Sequence, residues 1–149
     1  MYFHEAIRLG AMIRPQCRGS LTGPVTKRIF GIFKGKPENG SCAFGAAIEA
    51  AGCETRIEPS GDSVPIRGVR PPKGTPVPTI VVPDEWSPLL GKLVHCPVCG
   101  VFQSLARTIP HLNDDHLWTR EAISDWVMPI ELSLAAQMDL AVRQEQKVL

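Results

Sequence analysis

The run Cys96-Pro97-Val98-Cys99-Gly100 is followed by His111 and His116, which gives the spacing Cys-x2-Cys-x11-His-x4-His. Two thiolates separated by two residues can reach one ion from a tight knuckle, and two imidazoles on one local element complete a tetrahedron. Gly100 lets the chain turn after the second thiol without a Cβ clash. The spacing fits the Cys2His2 class, so Cys96, Cys99, His111 and His116 are the expected ligands of one structural Zn2+. His95 adjoins Cys96, but neighbouring side chains of an extended segment point to opposite faces, and it is set aside as a ligand. Four protein ligands leave no open position for substrate or activated water, which weighs against a zinc hydrolase.

The pattern departs from that of DNA-reading fingers. Pro110 stands one residue before the first histidine, so the expected helix starts at Pro110, and a long recognition helix ahead of His111 is not expected. Residues 110–128 carry Asp114, Asp115, Glu121 and Asp125 against Arg120 alone, a net charge of −3 that phosphate would repel. Asn113, Asp114 and Asp115 are expected to shape a loop between the histidines by bonding to their own backbone.

Outward from the knuckle, Leu93-Val94 reads as a strand leading in, and residues 101–105 as the returning strand. Thr119 is a helix N-cap, with Trp118 before it and Ile123 at the fourth helical position forming a hydrophobic staple. Pro129 is expected to interrupt this helix. Residues 130–148 then form a last one, with Ile130, Leu134, Met138 and Ala141 or Val142 along one face. Trp118 and Trp126 either fill a small core above the metal or anchor a partner.

The N-terminal part predicts a helix over residues 3–13 ended by Pro15, and an extended segment over residues 27–34. Lys36-Pro37-Glu38-Asn39-Gly40 reads as a turn. Ser41 should cap a second helix over residues 42–51, with Gly52 just past its end. That helix is rich in Ala and Gly, so another backbone, that of the first helix, can approach it closely. Cys42 and Cys53 read as small apolar residues and Cys17 as a lone loop thiol. No pair of these three has ligand spacing.

Between these parts lie prolines 59, 65, 71, 72, 76, 78, 83 and 88. Residues 77–82 could be an edge strand, where proline is tolerated; otherwise the segment is an extended linker. The expected fold is therefore α+β. A small helical N-terminal region (1–57) and a proline-rich middle (58–88) precede a C-terminal zinc-finger-like element followed by helices (89–149).

The 149 residues carry 16 Lys and Arg against 15 Asp and Glu, but unevenly. Residues 1–83 hold 11 bases and 6 acids; residues 84–149 hold 5 and 9. Arg14, Arg18, Lys27, Arg28, Lys34 and Lys36 fall in a stretch without acids between residues 6 and 37, where they could meet phosphates or form a solvated face. The start of the chain lacks the apolar run of a signal peptide, and no apolar run approaches the roughly 20 residues of a membrane helix. A cytoplasmic protein with reduced thiols and no membrane is expected.

The run His111-Leu112-Asn113-Asp114-Asp115-His116-x-Trp118-Thr119-Arg120-Glu121, behind a Cys-Pro-x-Cys knuckle, resembles a pattern in small uncharacterised proteins of bacterial phages and prophages. Residues 5–12 and 41–47 are also similar to that set; the proline-rich middle is not. The resemblance implies a bacterial or phage origin and a cytoplasmic site in the host cell, and no activity.

Three functions compete. The first is a non-enzymatic, zinc-stabilised protein that binds a macromolecular partner, a protein of host or phage. The second is a nucleic-acid-binding transcriptional regulator using the basic N-terminal half, with Phe30 and Phe33 available to stack on bases. The third is a metal-dependent nuclease using the His111–His116 run. That would need a histidine base free of the metal and an open cation position, which two ligating histidines do not leave. No small-molecule substrate is evident, and the expectation is that the protein is not an enzyme.

Overall fold

The computed structural model describes residues 1–18, 22–25, 28–29, 33–34, 38–53, 55–59, 76–80 and 82–146. The fold is α+β: among the described residues, helices pack around one core and the strands form two-stranded antiparallel pairs.

Helix α1 (Phe3–Ile13) turns Phe3, Ala6, Ile7 and Gly10 inward, one stripe of a 3.6-residue period, and ends before Pro15 as expected. Helix α2 (Ala43–Ala50) lies directly on it. A Cβ placed on Gly10 would stand 2.0 Å from the carbonyl oxygen of Ala46, so the two backbones touch where the sequence has glycine against alanine. Gly52 follows α2 with φ +63°, the left-handed helix end that glycine adopts without strain.

Two expectations near α2 are corrected. Residues 38–40 belong to strand β4 (Glu38–Ser41), not to a turn; β4 pairs with β1 (Thr22–Val25), with Gly40 opposite Gly23. Ser41 is not the cap of α2. Its backbone is held in extended pairing, its N–H donating to the Pro15 carbonyl (2.9 Å) and its carbonyl accepting from the Cys17 N–H (3.1 Å). The cap is Cys42, whose Sγ accepts from the Gly45 N–H at 3.3 Å. Burial pushes the Cys42 thiol up from its ordinary pKa, in keeping with a small apolar residue.

The segment expected to be extended over residues 27–34 contains two short strands, β2 (Arg28–Ile29) and β3 (Phe33–Lys34), paired antiparallel. Strand β5 (Thr55–Pro59) pairs with β6 (Pro76–Ile80), so a strand does lie where the edge strand was read. A 3-10 turn (Asp84–Trp86) and helix α3 (Ser87–Gly91), both unforeseen, follow. They deliver Trp86 to the core, 1 % exposed, edge-on to Phe3 (ring centroids 4.8 Å apart), with its indole N–H donating to the Met1 carbonyl at 3.0 Å.

Strands β7 (Leu93–His95) and β8 (Phe102–Ser104) form the hairpin read around the knuckle. Helix α4 then runs Leu105–Asp114, five residues longer at its start than expected, with Pro110 inside it. Proline removes one N–H and one helical hydrogen bond. Leu105, Ile109 and Leu112 are each fully buried on one face, and Thr108 Oγ1 donates to the Ser104 carbonyl (3.0 Å), which together outweigh that loss. Helix α5 (Arg120–Glu145) is likewise continuous through Pro129, where an interruption was expected. It starts at Thr119, whose hydroxyl accepts from the Ala122 N–H (3.2 Å), as read.

Buried residues from both ends of the chain share one core: Phe3 and Ile7 of α1, Ala43 and Ala47 of α2, Trp86 and Leu89, Leu105 and Ile109 of α4, Ile123 and Val127 of α5. Polar locks join the ends. Asn113 is not in a loop but in α4 and fully buried. Its amide accepts from Gln16 Nε2 (2.8 Å) and donates to the Cys17 carbonyl (3.1 Å), binding α4 to the segment after α1.

Candidate metal centre

The four residues named from the spacing come together. One ligand atom from each of Cys96, Cys99, His111 and His116 lies within 4.8 Å of the others, which is compatible with one metal site. Cys96 is buried and directly follows β7; Cys99 sits on the exposed knuckle; the half-buried histidines stand in the last turn of α4 (His111) and just past it (His116). The knuckle is closed by the Cys96 N–H donating to the Val101 carbonyl (2.8 Å) and the Gly100 N–H to the Cys96 carbonyl (2.9 Å). Gly100 has φ +74°, where an L side chain would be strained.

The electrostatics suit a thiolate. Burial alone would raise the Cys96 thiol. The backbone N–H groups of Cys99 and Val98, the Cys99 side chain and nearby His111 outweigh it, and the net shift is downward. Thiolates are the form in which cysteine binds metal.

His111 Nε2 is 3.2 Å from Cys99 Sγ and 3.0 Å from His116 Nε2. With bonds of about 2.0 Å to nitrogen and 2.3 Å to sulfur, a tetrahedral ion needs edges of about 3.3–3.6 Å between such atoms. The observed spacings sit slightly inside that range, so small outward shifts would seat an ion. On its other side, His111 Nδ1 meets Asp115 Oδ2 at 2.6 Å. A carboxylate on Nδ1 fixes the ring's orientation and leaves Nε2 free to ligate. Asp115 was read as loop-shaping; its position four residues after His111, one helical turn on, is the signal that names it as the ring's partner.

His116 lies past the end of α4. Its N–H donates to the His111 carbonyl (3.3 Å), and the Trp118 N–H reaches back to Leu112 (2.9 Å). Between them Leu117 takes φ 59°, the left-handed region that a leucine seldom occupies. That reversal folds the chain back so that His116 faces His111, rings 4.5 Å apart and nearly perpendicular. His95 is outside the cluster, its Nδ1 3.1 Å from the Gly100 carbonyl oxygen and its ring against Phe102.

The other candidate residues are dispersed. Arg14 Nε donates to Glu49 Oε1 at 2.5 Å, and Arg18 is exposed. Arg28 and Lys34 are register partners in the β2–β3 pair. Lys27 and Lys36 lie outside the described residues. Trp118 and Trp126 are half-buried and pack against the core. Arg120, counted from sequence as a surface charge, is buried: its guanidinium donates to the carbonyls of Ala11 (3.1 Å) and Arg14 (2.6 Å) and to Ser41 Oγ (3.2 Å). His4 is also buried, with Nδ1 2.7 Å from Glu131 Oε2.

No helix among the described residues is long and apolar enough to cross a membrane. No protein-family model matches the chain, and no curated protein or solved structure matches it either.

Proposed function

We propose that this protein is a non-enzymatic interaction module, stapled by one structural Zn2+ and binding a protein partner. The observation that carries the reading is the convergence of Cys96, Cys99, His111 and His116 on one point. Two thiolates and two imidazoles suit Zn2+ better than hard cations, which prefer oxygen. Four protein ligands saturate a tetrahedral ion, so its contribution is to hold the β7–β8 hairpin against α4. The resemblance to phage and prophage proteins adds a bacterial host cytoplasm as the setting and a host or phage protein as the partner.

Replacing His116 tests this. In His116→Cys the ligand set becomes Cys3His, also a zinc set; the variant is expected to keep zinc and the native circular dichroism spectrum. His116→Ala is expected to lose zinc and the order of α4. A well-folded His116→Ala protein that has lost a hydrolytic activity would favour catalysis instead.

A second reading, nucleic-acid binding, draws support from the pairing of Arg28 opposite Lys34, two like charges at one register position. Fluorescence anisotropy with mixed-sequence duplex and single-stranded oligonucleotides separates the readings. Micromolar binding that weakens steeply with salt would promote this second reading, and none at low salt would remove it.

A further inference from the structure

Away from the metal centre, a groove of about 640 Å³ opens between the start of α1, the 3-10 turn with α3, and the middle of α5. This is within the size range of ligand-binding clefts. Its lining is largely apolar and includes Tyr2, Pro88, Leu89, Leu134 and Met138. Met138 is half-exposed, and Leu134 is only partly covered by the core. Its charged lining is acidic: Glu5, Asp84, Glu85 and Asp139 are exposed there, beside the buried Glu131; no Lys or Arg is among its described lining residues, and the Met1 ammonium, 3.9 Å from Glu85, offsets one of these charges.

We propose that this groove docks a basic amphipathic helix of the partner protein. The inference rests on the interaction-module reading and adds the chemistry of what is bound. An apolar helix face fits an open apolar trough, with anchors at i, i+3 or i+4 and i+7. Lysines or arginines flanking those anchors would meet the four carboxylates, which also steer the approach. A second copy docking through the same face is disfavoured, because a two-fold contact would set these carboxylates against themselves. An acidic segment is disfavoured for the same reason.

The test uses the zinc-loaded full chain and a fluorescein-labelled Leu/Lys amphipathic peptide of about 14 residues, long enough to form a helix on binding. Its Leu/Glu counterpart serves as control. The Lys peptide is expected to bind and the Glu peptide not. Asp84→Asn/Glu85→Asn/Asp139→Asn and, separately, Met138→Ser should each weaken binding about tenfold or more, equivalent to loss of one or more good contacts. All four positions are exposed, so these variants should keep the wild-type circular dichroism spectrum and zinc content. Equal binding of both peptides, absence of binding, or affinity unchanged in both variants would overturn the groove assignment. Those outcomes leave zinc content and oligonucleotide binding, which test the module reading, unaffected.

Discussion

Glu131 and Arg120 stand eleven residues apart on α5 and hold opposite ends of α1, itself eleven residues long. Glu131 accepts from the backbone N–H groups of Phe3 (2.7 Å) and His4 (3.1 Å); Arg120 donates to the carbonyls of Ala11 and Arg14. At 1.5 Å per residue both spans are about 16 Å, so α1 matches the first half of the antiparallel α5. Each charge also has the favourable sign for the helix terminus it meets.

Removing either group should leave its partners buried without a match. Glu131→Ala strands two N–H groups and the His4 ring, and Arg120→Ala strands the carbonyls at the end of α1. Each is expected to cost about 3 kcal/mol, near the cost of breaking a buried pair. Urea denaturation followed by circular dichroism measures it. A loss below about 1 kcal/mol for both, the range of a surface ion pair, would mean that α5 does not hold α1 in this way.

Gly10→Ala should be destabilising for a different reason. The added Cβ meets the Ala46 carbonyl at 2.0 Å, and a backbone atom cannot rotate away. Forced separation of α1 and α2 is expected to cost about 1–3 kcal/mol, against a small gain in helix propensity. The melting temperature should fall. A rise would show that the helices are not in contact here.

Pro129 offers the opposite test. It lies exposed inside α5 and lacks the N–H that would bond to the Asp125 carbonyl. Pro129→Ala should add one helical bond and relieve the ring's clash, stabilising the protein by about 1–3 kcal/mol. Thermal unfolding reads this directly. Destabilisation would indicate that the proline itself is needed to bring Glu131 to α1.

Asp115→Asn should leave the fold intact and weaken the metal. The amide can still hydrogen-bond His111 Nδ1 but no longer supports its basicity. Zinc affinity is expected to fall about 10–100-fold, the usual effect of losing such a partner. Competition with a chromophoric chelator measures it; unchanged affinity would remove Asp115 from the site.

Much of this was legible in the sequence, for identifiable reasons. The four candidate ligands follow from spacing, which is local. Helix α1, the hairpin at the knuckle, the Thr119 cap and the glycine contact between α1 and α2 are likewise set by near neighbours or by small residues at one face. The misreadings came where tertiary packing overrode a local rule. Pro110 was read as a helix start and Pro129 as an interruption, yet burial of Leu105, Ile109 and Leu112 carries α4 across the first, and α5 runs through the second. Ser41 has the chemistry of a cap, but its backbone was claimed by strand pairing. Arg120 looked like a surface charge, and the pairing of His4 with Glu131 had no local signal, because the partners lie more than 75 residues away.

X-ray absorption at the zinc edge on the purified protein, together with metal analysis, decides whether a zinc ion staples the chain at these four residues. One zinc per chain is expected, with two sulfurs at about 2.3 Å and two nitrogens at about 2.0 Å. A protein that folds without zinc, or a shell containing an oxygen ligand or a single sulfur, would contradict it.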